Sequence, residues 1–62
     1  MKIIYRDQEW ELKGKTSVRR AIKNIGLNPE AVLAVLNDEL VTDDRIVAQD
    51  DTLKLIAVVS GG

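Results

Sequence analysis

Few of the 62 side chains are equipped for chemistry. There is no histidine and no cysteine. That removes the usual general base near neutral pH, the commonest metal ligands and any thiolate nucleophile. It also excludes a disulfide framework. Carboxylates, amines and hydroxyls remain. Asp43–Asp44 and Asp50–Asp51 are paired acids. General acid–base work needs two carboxyls around a concave site with their pKa values pushed apart. These pairs lie in a polar run, TDDRIVAQDD, and read as turn formers. They also lack the spacing and the glycine of a calcium loop. Gly14-Lys15-Thr16 resembles the end of a phosphate-binding loop, which requires another glycine five residues before the Gly-Lys pair. Glu9 occupies that position, so nucleotide binding is not expected and Gly14–Lys15 reads as a link between the hairpin and the helix. Ser60 is a hydroxyl with no histidine to activate it, and Lys54 would be a weak base for it. No catalytic constellation of side chains and no metal site survives, and this chain is expected to bind no cofactor itself.

One reactive group is left, the backbone carboxyl at Gly62. The sequence finishes IAVVSGG. An α-carboxylate has a pKa of about 3.5, so it is ionised and a poor electrophile. It can nevertheless attack the α-phosphate of ATP held by another protein and become an acyl-adenylate. That mixed anhydride is open to a sulfur or nitrogen nucleophile. To reach such a site the tail must thread a narrow channel. Gly61 and Gly62 have no Cβ and accept whatever backbone angles the channel imposes. With Ser60 they form the expected flexible tail, residues 60–62.

A tail of this kind needs a rigid support. MKIIYR reads as a strand, Asp7–Gln8 as a tight turn, and EWELK as a second strand with Trp10 and Leu12 on one face. Val18, Ala21, Ile22 and Ile25 form one stripe of an amphipathic helix of nine or ten residues. Thr16 or Ser17 is its N-cap, and Gly26 closes it. Asn28–Pro29 starts a short further turn of helix. VLAVLN is a third strand, Asn37–Asp38 a turn, and ELV a short fourth strand. TDDRIVAQDD is a polar, irregular connection, and TLKLIAVV is the last strand. The order β-β-α-β-β-β predicts an α+β domain spanning residues 1–62, a mixed sheet with one main helix packed on one face.

One helix covers one face of such a sheet. Met1, Ile3, Tyr5, Ala34, Leu36, Leu53, Leu55, Ala57 and Val59 are expected to point at it. The opposite face would carry Lys2, Ile4 and Arg6, then Leu33 and Val35, then Lys54, Ile56 and Val58. It is only partly polar, and the chain has nothing left to cover it. Ile4, Leu33, Val35, Ile56 and Val58 are therefore candidate partner-binding residues.

Charge is uneven along the chain. Residues 1–23 hold seven basic and three acidic side chains, and residues 38–51 hold six acidic and one basic. The basic residues are scattered instead of clustered on one face, so nucleic acid is not an expected direct partner. The acidic stretch either steers a basic partner or is a solvated surface. No apolar run approaches the ~20 residues of a membrane span. Nothing at the N-terminus reads as a signal peptide, and a cytoplasmic location is expected.

Taken together, MKIIYR, SVRRAI followed by GL and NPE, VLAVLNDELV, and DDTLKLIAVVSGG resemble the ThiS/MoaD-type sulfur carriers, ubiquitin-like proteins of the β-grasp fold. The resemblance covers essentially the whole chain, and the last segment is its most specific part. It implies that a ubiquitin-activating-type adenylyltransferase adenylates Gly62. Conversion to a thiocarboxylate would follow, with ATP and a sulfur donor used by the partner enzymes. The sulfur would pass to a thiazole synthase in thiamine synthesis, a molybdopterin synthase subunit or a tRNA thiolase. The turn after the third strand is often Asn-Gly in this family, where this chain has Asn37–Asp38. Two alternatives are a ubiquitin-like modifier conjugated to target lysines through Gly62, and a non-covalent β-grasp adaptor.

Overall fold

The computed structural model describes residues 1–58. The expectations placed on Val59, Ser60, Gly61 and Gly62 concern residues outside that range. The described elements are β1 (Lys2–Tyr5), β2 (Gln8–Glu11), β3 (Thr16–Ser17), α1 (Val18–Asn24), a 3₁₀ turn (Pro29–Ala31), β4 (Val32–Leu36), β5 (Glu39–Val41), β6 (Ile46–Val47) and β7 (Thr52–Ala57). Five strands form one sheet in the order β2-β1-β7-β4-β5, and β3 pairs with β6. β1 and β7 run parallel, and the other neighbours are antiparallel. This is the expected α+β, mixed-sheet β-grasp arrangement.

Alternation decides which face is covered. Met1, Ile3, Val32, Ala34, Leu36, Leu53 and Leu55 are buried from the sheet side, and Val18, Ala21 and Ile22 from the helix. Tyr5, Trp10, Leu12, Ile25, Leu27 and Val41 close the margins of that core. Tyr5 and Ala57 lie on the expected inner face but are half-buried, since both sit near the end of the sheet.

The helix is shorter than its apolar stripe suggests, seven residues instead of nine or ten. Its start is taken by the β3–β6 pairing, in which Ser17 lies opposite Ile46. The Ser17 hydroxyl then accepts from the Arg20 N–H at 3.2 Å as N-cap. Two further N-terminal amides, which have no partner inside the helix, are satisfied from outside. The Val18 N–H donates to the Arg45 carbonyl at 2.8 Å and the Arg19 N–H to the Asp43 carbonyl at 2.9 Å. At the other end Gly26 has φ +85°, and the Leu27 N–H reaches the Ile22 carbonyl at 3.1 Å. Such closure requires a left-handed residue, which glycine supplies without a Cβ clash.

Two loops differ from expectation. The first hairpin turns on Arg6–Asp7, with Gln8 already paired to Tyr5. Trp10 and Leu12 pack against the core margin, on the face the alternation predicts. Arg6 consequently leaves the strand with φ 54°. Its guanidinium lies 5.3 Å from the Tyr5 ring centroid, so it does not extend the outer face as alternation suggests. TDDRIVAQDD is also more than a surface connection. It contains β6, and Val47 is fully buried. Asp43 and Asp44 occupy a turn as expected, and Asp43 pairs with Arg19 at 2.7 Å.

Candidate functional site

The face of the sheet away from α1 has no covering element among the described residues. Strand register sets its composition. Glu9, Ile4, Lys54, Val35 and Leu40 form one row across β2, β1, β7, β4 and β5. Leu33 and Ile56 form the next, towards the end of β7. Val58 follows one alternation later. All five residues predicted to bind a partner therefore share this face. Leu33 is 47% exposed, Ile56 46% and Val58 41%, while Ile4 and Val35 are half-buried between neighbours.

Leu40 belongs to the same surface and was missed by the sequence reading. It is 65% exposed and lies directly opposite Val35. Its place between Glu39 and Val41 was the available signal, because the alternation that turns Val41 inward turns Leu40 outward.

Polar groups frame the apolar patch. Lys2 reaches Glu9 at 3.2 Å along its edge. At the end of the sheet opposite Val58, Asn37 joins the β4–β5 turn to the start of β7. Its amide donates to the Asp51 carboxylate at 3.0 Å, and its carbonyl accepts from the Thr52 N–H at 3.2 Å. The other Asp51 oxygen accepts from the Ala48 N–H at 2.9 Å. The Ala48 and Asn37 bonds, in that order, hold the Asp51 carboxyl below its ordinary value of 3.8. Asn37 and Asp38 both have positive φ, 50° and 71°. Those signs fit the two-residue turn that matches the right-handed twist of paired strands. The Asn37 clasp thereby fixes β4 beside β7, and with it Val35 beside Lys54.

At the other end, the Val58 N–H donates to the Ala31 carbonyl at 2.9 Å. The last described residue is thus tied to the 3₁₀ turn, which the Asn28 side chain caps by accepting from the Glu30 N–H at 3.0 Å. Ser60, Gly61 and Gly62, the candidate tail, follow outside the described residues. The arrangement can present an apolar surface to another protein beside the strand that leads into those glycines. Among the described residues, no helix is long and apolar enough to cross a membrane.

Comparison with known proteins bears on this geometry. A curated relative, the sulfur carrier protein TtuB of Thermus thermophilus, is 42% identical over 55 residues, which cover 89% of this chain and 85% of the relative. The model of the ThiS family matches residues 2–62. With nearly its full length matched, including both terminal glycines, this chain belongs to the ThiS family.

Proposed function

We propose that this protein is a sulfur carrier activated at Gly62, and that the open sheet face docks the activating enzyme. The family match running through Gly61 and Gly62 is the observation that carries this reading. The exposed apolar surface ending at Val58 supports the docking half of it. The Gly62 carboxylate attacks the α-phosphorus of ATP on a ubiquitin-activating-type adenylyltransferase. A new oxygen–phosphorus bond forms and pyrophosphate leaves. A sulfur nucleophile at the hydrosulfide level then attacks the acyl-adenylate carbonyl and expels AMP. A terminal thiocarboxylate results. The chain acts as a carrier and co-substrate, and its side chains perform no step. The sulfur passes to a thiazole synthase, a molybdopterin synthase subunit or a tRNA thiolase.

Incubation with the activating enzyme of the same organism, ATP and a sulfur source tests this. The expected product shows the sulfur-for-oxygen mass increment and is trapped by iodoacetamide, which separates it from oxidation of Met1. Deleting Gly61 and Gly62 should abolish the product and leave the fold intact. An unchanged mass with the active enzyme would defeat the reading. Heavier adducts joined to lysines of other proteins would instead favour a modifier.

A further inference from the structure

Lys54 occupies an unusual place on the open face. It lies on β7, the middle strand of the sheet, between Ile4 on β1 and Val35 on β4. Residues directly opposite on neighbouring strands stand about 5 Å apart at Cβ, so two apolar side chains flank the ammonium stem. The ion pairs among the described residues are Lys2–Glu9 and Arg19–Asp43, and Lys54 is in neither. Asp38 lines the same shallow depression as Lys54, Ile4 and Val35 without coming within ion-pair distance of it. Glu9 shares the cross-strand row but is engaged by Lys2.

A partner that covers this face also covers the stem of Lys54. Removing an unpaired ammonium from water is strongly unfavourable. A purely apolar partner would leave that charge uncompensated at the middle of the contact. A second copy of this chain fits no better. A two-fold contact centred here would set Lys54 against Lys54, because such an interface places the same patch on both sides.

From this charge pattern we infer that the docking surface of the activating enzyme is apolar with a carboxylate side chain set opposite Lys54. Lys54 is a specificity-determining residue of that contact. The cation selects a partner surface that carries the acid and rejects an apolar surface that lacks it. The inference rests on the docking reading above.

The test measures binding of the full chain, without ATP, to the activating enzyme of the same organism. ATP–pyrophosphate exchange with the full chain is followed in parallel. Lys54 is exposed, so Lys54→Met and Lys54→Glu should melt within a few degrees of wild type. Lys54→Met should weaken binding about tenfold, because it strands the partner's carboxylate, and Lys54→Glu should weaken it further. Lys54→Arg should retain most of the affinity. Raising ionic strength should weaken the wild type more than Lys54→Met. In exchange, KM for the carrier should rise while kcat changes little. Equal or tighter binding by Lys54→Met would overturn the inference and leave the carrier reading intact. A homodimer formed through this face in sedimentation would overturn it as well. No exchange and no binding by the wild-type chain would defeat the carrier reading and this inference together. Lys54-dependent binding without exchange would defeat adenylation alone.

Discussion

Asp51 shows how much one half-buried side chain can organise. It takes hydrogen bonds from the Ala48 N–H and the Asn37 amide, and the native state therefore favours its ionised form. The unfolded chain binds a proton at Asp51 at higher pH than the folded chain does. The associated stability is fully present above the ordinary value of 3.8 and declines as pH falls through the depressed native value. Urea midpoints measured down an acid series should fall more steeply for wild type than for Asp51→Asn, and the two curves should converge at low pH. Parallel curves would mean that the clasp adds no pH dependence. At the neighbouring turn, Asp38 has φ 71° while Asn37 makes the side-chain bonds. Asp38→Gly removes left-handed strain at some cost in chain entropy. It should stabilise by a few tenths to about 1 kcal/mol, read as a higher urea midpoint at unchanged slope. The sequence showed a turn at Asn37–Asp38. It gave no sign that Asn37 would reach fourteen residues along the chain to Asp51, because side-chain bonds between distant segments leave no local pattern.

At the scale of elements, the β3–β6 ladder is the feature that local patterning hid. Each strand has two residues, too few to establish a period, and β6 sits among aspartates. Its consequences are large. It shortens α1, brings the preceding Asp43 and Arg45 carbonyls to the helix N-terminus and buries Val47 completely. Val47→Ala should cost ~2 kcal/mol through lost burial and a residual cavity. Ile46→Ala, one residue away but 53% exposed, should stay within about 0.5 kcal/mol of wild type. Equal losses from both would show that this segment packs differently. Longer elements were legible because the chain repeats their signal. Val18, Ala21, Ile22 and Ile25 mark the helix face, and Leu53 and Leu55 mark the inner side of β7.

At the scale of the molecule, the sheet has a covered face and, among the described residues, an open one, and substitutions on the two should behave oppositely. Leu53 is fully buried and Ile56 is 46% exposed on the same strand. Leu53→Asp places a carboxylate in the core and should prevent folding under conditions where wild type is folded. Ile56→Asp should leave the melting temperature within a few degrees of wild type. It should also raise the KM of carrier activation about tenfold or more, since it sets a charge into the proposed apolar docking contact. Thermal melts beside exchange kinetics check both. Unchanged activation by the Ile56 variant would remove this face from the docking surface.

By itself the sequence determined most of the frame and pointed to the sulfur-carrier family. The segments MKIIYR, VLAVLNDELV and DDTLKLIAVVSGG carry the family resemblance in their order alone, and strand alternation predicted most of both faces of the described sheet. Tertiary structure decided which residues on different strands stand together. It joined Leu40 to the apolar surface, set Lys54 between Ile4 and Val35, turned Arg6 onto Tyr5 and drew Val47 into the core. The reason is physical. Periodicity is a property of one segment and survives in the order of its residues. Register, pairing partners and the environment of a charge arise only when separate segments are brought side by side.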